Sequence, residues 1–398
     1  MPAHILGIGT AVPTPVLPQS AVRDLFLAQP GVERLTARLI GAAFDQSAID
    51  TRHTVLAELA EHSAEPSAFL DADTRQVLSP LTGTRNDVYR REAPPLFERA
   101  ARDALVRADV EASAITHVVT ASCTGFYAPG PDYRLVRDLG LRTTVERDHL
   151  GFVGCAAAFP ALRQAARICA ADPNAVVLVV CGEICSIHLR ASADPEQIVA
   201  SAVFADGAAA AVVSAQPSLD APSLELEGFA TALTSEGEDD MRWIIGDHGF
   251  EMTLTAEVPR IVGREVRDAL APILSRAGHV DRWLVHPGGR SILDRFEAAL
   301  ELPSDALELS RDVLRRFGNM SSATVLFIMA RMLEDPALAD GSRAIGVAFG
   351  PGLTVESALL TARVPAAAGV ETAAAGVDAV GADDPVELER EPEPVAVR

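Results

Sequence analysis

Continuous apolar runs of strand length alternate along this chain with stretches whose apolar residues recur every three or four positions. Ile5–Ile8 reads as a short buried strand ending at the turn-prone pair Gly9-Thr10. Thr116–Ser122, Ala175–Cys181 and Gly207–Ala215 read as further buried strands, and Arg282–Val285, Arg343–Phe349 and Leu353–Leu360 repeat the signal in the second half. Helical periodicity covers Glu92–Asp109, Gly154–Ala171, Val258–Ala277 and Gly318–Leu333, with a shorter helix at Tyr133–Leu139 and an irregular helical stretch over Ser20–Ala64. Strands apolar on both faces belong to sheets covered by helices on both sides, so the pattern predicts an α/β fold.

The two halves have one outline. A strand leading to Cys123 is followed 32 residues later by Cys155 at the opening of a helix, and a strand leading to His286 is followed 33 residues later by Asn319 in the same setting. Each of those helices is followed by a buried strand and then another strand. The spacing predicts an internal duplication, with residues 1–222 as one half and 223–364 as the other. Strand ends and helix openings would then meet near a pseudo-twofold axis, bringing Cys155, His286 and Asn319 together. Residues 365–398 differ in kind: eight acidic residues against two arginines, no aromatic residue, and mostly Ala, Gly and Val. Such a segment cannot bury enough surface to offset its ordering entropy, and a disordered acidic tail is expected.

Composition narrows the chemistry. The 398 residues contain no lysine, which excludes a phosphate-binding Walker lysine and any Schiff base on this chain. A formal net charge of −21 argues against a nucleic-acid partner, because neutralising phosphates needs clustered positive charge. No apolar stretch is long enough for a membrane span and no basic leader opens the chain. Five cysteines on a chain of this length are not a disulfide framework, so a reduced, cytoplasmic setting is expected.

Cys155 is the sharpest candidate nucleophile. It follows Gly154 and precedes three alanines, so a helix N-terminus would favour its thiolate and small neighbours would admit a substrate. A plain buried cysteine is the competing reading. His286 ends a strand and enters Pro287-Gly288-Gly289, a presentation suited to a cleft and to partnering a thiolate. Asn319 reads either as a helix cap or as an amide donor that polarises a carbonyl. A metal site from Cys181, Cys185 and His188 lacks a second cluster, and burial is the preferred reading. Gly7-Ile8-Gly9 lacks the remainder of a dinucleotide fingerprint, and neither a G-x-S-x-G nor an H-E-x-x-H motif occurs.

Gly151-Phe152-Val153-Gly154-Cys155, Val285-His286-Pro287-Gly288-Gly289, Gly318-Asn319-Met320-Ser321-Ser322-Ala323 and Gly346–Glu356 together resemble the type III polyketide synthases, the chalcone-synthase-like family. Ser122–Tyr133 and Gly246–Met252 are most similar to bacterial alkylresorcinol and alkylpyrone synthases. The resemblance implies the thiolase fold, two duplicated βαβαβαββ halves in a five-layer αβαβα arrangement, and a homodimer. It implies an acyltransferase that condenses malonyl-CoA decarboxylatively and repeatedly onto an acyl-CoA starter, then cyclises the product, with no metal or cofactor. Cys155 matches the acyl-accepting nucleophile, and His286 with Asn319 the pair that binds the thioester carbonyl. Phe204 and Phe250 match gatekeeper phenylalanines, and Cys123, Thr124, Cys185, His188, Met252 and Ser321 match cavity-lining positions. The basic residues that hold coenzyme A phosphates in plant members are not reproduced around Ala42 and Gln46. Arg38 and Arg52, with Gly288 and Gly289, remain as coenzyme A candidates. Ala128 stands where plant members carry a methionine that reaches the partner's cavity. The competing readings are a single-round condensing enzyme of the ketoacyl synthase III kind and a non-catalytic acyl-binding partner of the same fold.

Overall fold

The computed structural model describes residues 2–60 and 66–365; the acidic tail lies outside the described residues. The first half runs β1 (Ala3–Ala11), β2 (Val16–Pro18), α1 (Gln19–Leu27), α2 (Arg34–Asp45), β3 (Thr51–His53), α3 (Ala57–Ala60), α4 (Thr82–Ala108), β4 (His117–Ser122), α5 (Pro131–Asp138), β5 (Glu146–Gly151), α6 (Ala158–Ala171), β6 (Val176–Ile184), α7 (Pro195–Val203) and β7 (Asp206–Ser214). The second runs β8 (Ser223–Leu233), β9 (Met241–Gly246), β10 (Gly249–Leu254), α8 (Val258–Ala277), β11 (Arg282–Val285), α9 (Arg290–Leu300), α10 (Glu308–Phe317), α11 (Thr324–Leu333), β12 (Arg343–Gly350) and β13 (Thr354–Arg363). No helix among the described residues is long and apolar enough to cross a membrane.

Nine strands form one continuous sheet in the order β11-β12-β13-β8-β1-β7-β6-β4-β5. In the first half β4 lies parallel to β5 and β6, while β6–β7 and β7–β1 are antiparallel. The second half repeats this: β11 is parallel to β12, and β12–β13 and β13–β8 are antiparallel. A short antiparallel seam between β1 and β8, from Ala3–Leu226 to Ile5–Leu224, joins the halves. The predicted duplication is therefore present as topology, with β1, β4, β6 and β7 matched by β8, β11, β12 and β13. The repeat is not complete: among the described residues the second half has no counterpart of β5. The amphipathic helices α9 and α10 occupy that stretch, burying Ile292, Leu293 and Phe296, then Val313 and Leu314.

Five layers follow from which faces are apolar. Helix α4 covers β1, β7 and β6 from outside, and α8 covers β8, β13 and β12. Between the half-sheets lie α6 and α11: α6 touches strands of both halves, and α11 packs on β1 and β7 as well as on β11 and β12. Three apolar clusters fill the spaces between layers. Small side chains let the middle layer close up, with Ala156, Ala158, Ala161 and Ala165 meeting Ala209 and Ala211 of β7 in the central cluster. This layering is the thiolase fold.

Two local readings change. Helix α4 begins ten residues before the predicted start, because Pro94 and Pro95 resemble a boundary yet lie inside the helix. Its buried face of Val88, Tyr89, Ala93, Leu96, Phe97 and Ala100 outweighs the lost backbone donors. The edge strand β5 is almost wholly exposed and carries Glu146, Arg147 and Asp148, so no hydrophobic pattern marks it; pairing with β4 alone makes it a strand.

Candidate active site

Each half presents its functional residue by the same backbone device. Gly154 precedes Cys155 with φ +68°, and Gly318 precedes Asn319 with φ +70°, a region that favours glycine. A Cβ at Gly154 would lie 2.5 Å from Cδ of Pro351, so the Pro351 loop presses directly on the turn that carries Cys155. A turn of 3-10 helix, Gly154–Ala156 or Ser321–Ala323, then leads into α6 or α11. The α-helices thus begin at Ala158 and Thr324, later than periodicity predicts, and Cys155 and Asn319 stand just before them.

Asn319 ties the halves together. Its N–H donates to the Val203 carbonyl at 2.8 Å and its carbonyl accepts from Ala205 N at 2.9 Å, a parallel bridge across Phe204. Its Oδ1 accepts from Ser321 N at 2.8 Å and stands 4.0 Å from Sγ of Cys155. Its Nδ2 makes only a long bond to Gly288 O, 3.4 Å, and so retains donor capacity. His286 follows β11 and is 1% exposed, its N–H donating to Val347 O. Among the described residues neither of its ring nitrogens has a partner, which leaves both free to meet a ligand.

Burial sets the charge state. It pushes the Cys155 thiol up to about 11, partly opposed by hydrogen bonding with Ser321 and Asn319, and pushes His286 down to about 3. The sequence reading expected a thiolate at a helix N-terminus. Burial works against that charge, and the hydrogen bonds with Ser321 and Asn319 work for it.

Two cavities meet at Cys155. The outer one is lined by Cys155, His286, Asn319, Gly288 and Gly289, together with Leu39, Ala42 and Gln46 of α2 and its end and with Arg260, Arg290 and Arg295 of α8 and α9. The inner one is lined by Cys123, Thr124, Cys185, His188, Phe250 and Ser321. It continues along Leu17, Val22, Leu25, Leu59 and Leu189. Cys155, Phe204, Met241 and Met252 line both, which places Phe204 and Met252 at the junction and Phe250 on the inner side.

Arg52 and Arg38 do not fit the coenzyme A reading. Arg52 is 4% exposed and lines the inner cavity, because its Nη1 is drawn to the carbonyls of Ser201 and Phe204. Arg38 is exposed on α2, and its neighbours Leu39 and Ala42, not Arg38 itself, line the mouth. The cations of the mouth are Arg260, Arg290 and Arg295 of α8 and α9, which the sequence reading missed.

It also missed Glu183, whose signal was a lone carboxylate in the apolar run of β6. This fully buried side chain accepts from Cys123 N at 2.9 Å, Thr124 Oγ1 at 2.8 Å, Ser322 Oγ at 2.6 Å and Cys123 Sγ at 3.3 Å. Burial raises its pKa, and these donors oppose the shift. His188 is held as a neutral ring: Nε2 donates to Thr124 O at 2.8 Å, Nδ1 accepts from Phe250 N at 3.0 Å, and the ring stacks on Phe250 at 4.4 Å. Both nitrogens being committed, His188 forms no ligand set with Cys181, which packs into the central core. Trp243 Nε1 donates to Cys123 O at 2.7 Å and closes the same wall.

Two family models match this chain, the chalcone and stilbene synthase N-terminal domain over residues 1–217 and the C-terminal domain over 226–364. Among curated proteins it is similar to a "Probable polyketide synthase 1" of Dictyostelium discoideum, 30% identical over 368 residues; these cover 90% of this chain and only 11% of that protein. Among solved structures, PKS-I from the brown alga Ectocarpus siliculosus is 28% identical with a TM-score of 0.83, covering 90% of this chain and 98% of that one. The C-terminal type III polyketide synthase domain of Steely1, a type I/III hybrid from Dictyostelium, is 29% identical with a TM-score of 0.82, covering 91% and 99%. A type III pentaketide synthase from Neurospora crassa is 26% identical with a TM-score of 0.79, covering 91% and 100%. With both domain models matched in order across nearly all the described residues, the chain belongs to the chalcone and stilbene synthase family.

Proposed function

We propose that this chain is a type III polyketide synthase, an acyltransferase that extends an acyl-CoA starter with malonyl-CoA in repeated decarboxylative condensations. One observation carries the reading: Cys155, His286 and Asn319 converge where a rimmed outer cavity meets a long apolar inner one. As Cys155 attacks the starter thioester, its proton passes to His286, and Nδ2 of Asn319 stabilises the oxyanion. The imidazolium returns the proton to the departing coenzyme A sulfur. Malonyl-CoA then takes the outer cavity. Its C–C bond breaks, CO2 leaves, and the enolate oxygen accepts from neutral His286 and from Asn319. The enolate carbon attacks the Cys155 thioester, the sulfur is expelled and reprotonated, and the lengthened chain returns to coenzyme A. Once His286 has returned its proton, the neutral imidazole keeps an N–H with which to donate to the enolate oxygen. A water-poor junction strengthens each of these hydrogen bonds.

The arm lined by Leu17, Val22, Leu25, Leu59 and Leu189 favours a fatty acyl starter, and ring closure to an alkylresorcinol or alkylpyrone is proposed with it. Homodimerisation, a cytoplasmic setting and independence of metal or cofactor belong to the same proposal. The test is mass spectrometry of products from purified protein given acyl-CoA starters of graded length and isotopically labelled malonyl-CoA. Two or more malonyl units per product are expected. A single unit points to a ketoacyl synthase III kind of enzyme, and none to a non-catalytic acyl binder.

A further inference from the structure

The guanidinium of Arg52 is held from two sides. Nη1 donates to Ser201 O at 2.8 Å and to Phe204 O at 2.7 Å, at the end of α7. Gly318 leaves room for the stem: a Cβ there would sit 2.9 Å from Arg52 Cγ and 3.0 Å from Cδ. Both contacts adjoin the bridge between Phe204 and Asn319, so Arg52 is rigidly placed beside the junction of the two cavities. What remains is the edge formed by Nε and Nη2. Both atoms are buried and neither has a hydrogen-bond partner. Asp206 acts on Arg52 only at a distance, because its oxygens accept from Ser186 N at 2.7 Å, from Ser186 Oγ and from Val55 N at 2.8 Å. Two unsatisfied donors on one buried cation are expensive, and the group remains a cation, its pKa lowered by burial only to about 10.

The Nε–Nη2 edge is a pair of parallel N–H groups, which suits two oxygen atoms side by side. A fatty acyl starter has no such pair within its chain. Each malonyl extension creates one, since the new carbonyl lies 1,3 to the last. Thr124, His188 and Trp243 of the same wall are committed within the protein, Thr124 to Glu183, His188 to Thr124 and Phe250, and Trp243 to Cys123. We propose that Arg52 binds the 1,3-dicarbonyl oxygens of the extending chain through its Nε–Nη2 edge, so that the inner cavity distinguishes an extended chain from the starter. This rests on the polyketide synthase reading above.

Pentadecane-2,4-dione and pentadecan-2-one, which differ by one carbonyl, are the probes, with binding to the full chain followed by calorimetry. The dione is expected to bind about tenfold more tightly to the wild type, in line with two charge-assisted hydrogen bonds after their desolvation. It should also show its ultraviolet enolate band at a lower pH than in water. Arg52→Lys keeps the charge but not the fork, and should bring the two affinities within about twofold. A purely structural arginine would not shift the enolate band. Equal affinities in the wild type, an unshifted band, or a preference that survives Arg52→Lys each overturn the proposal. Should Arg52→Lys fail to fold, Arg52→Gln is judged by the same affinity ratio. A wild type that incorporates no malonyl unit overturns the underlying function instead, so the two failures are separable.

Discussion

The residues that follow β4 and β11 occupy equivalent places in the two repeats, and their surroundings are opposite. Cys123, after β4, is enclosed: its N–H and thiol both meet Glu183, its carbonyl accepts from Trp243, and its sulfur lies 3.9 Å from Ser321 Oγ. His286, after β11, has no partner on either ring nitrogen. The turns that follow reverse the assignment, since the first repeat supplies the thiol of Cys155 and the second the amide of Asn319. One frame therefore serves two purposes. The first half buries a satisfied polar network around Glu183, and the second leaves the ring nitrogens of His286 without partners among the described residues. Duplication makes the frame, and divergence of a few side chains makes it a site.

The most severe way to break this division is Cys155→Ala. Starter acylation and product formation should fall below detection, while malonyl-CoA decarboxylation stays within about tenfold of the wild type, because the enolate-binding pair is untouched. Intact-protein mass and CO2 release measure the two effects, and a variant that still forms full-length product would contradict the nucleophile. Next in size, His286→Ala and Asn319→Ala should each lower decarboxylation about 10²–10³-fold, the usual cost of removing one donor to an oxyanion. Unchanged CO2 release in either would show that the second repeat does not supply those donors.

The shared turn can be tested directly. Gly154→Ala and Gly318→Ala should each cost about 1–2 kcal/mol in denaturant unfolding, from left-handed backbone alone. Gly154→Ala should also impair acylation more than Gly318→Ala does, because its Cβ meets a proline ring at 2.5 Å, closer than the Arg52 stem at 2.9 Å, and lies next to Cys155 itself. The mildest test is pH. His188 has a folded pKa of about 3 against an ordinary 6.5, so its contribution to stability is present above pH 6.5 and is lost as the pH falls toward 3. Asp206, raised to about 6 from 3.8, contributes in the opposite sense, below 3.8, and that contribution is lost as the pH rises through 6. His188→Gln should therefore flatten the loss of unfolding free energy between pH 6.5 and 3, measured by urea titration, whereas Asp206→Asn should steepen it between 6 and 4. Equal slopes in all three proteins would show that neither group is buried as described.

Much of this site could be read in advance, and the reason is local. Glycine before Cys155 and before Asn319 marks a backbone conformation that few residues adopt, and β11 running into His-Pro-Gly-Gly marks a strand end with an abrupt turn. Glu183 was harder, since a carboxylate in β6 has no meaning until Cys123 and Thr124 close over it from 60 and 59 residues away. Arg52 was misread for the same reason. Its partners Ser201 and Phe204 lie 149 and 152 residues further on, and nothing near Arg52 in the chain announces them.

Sequence alone determined the alternation of strands and helices, the repeat, and the three residues that meet in its centre, because periodicity and turn chemistry act within a few residues. Tertiary structure decided what those residues are. It buried Cys155 and His286, which raises the thiol's pKa and lowers the imidazole's, since desolvation depends on everything packed around a group. It also divided the interior into an outer and an inner cavity and turned a presumed phosphate-binding arginine inward, because cavities and buried partners arise only when distant segments close on one another.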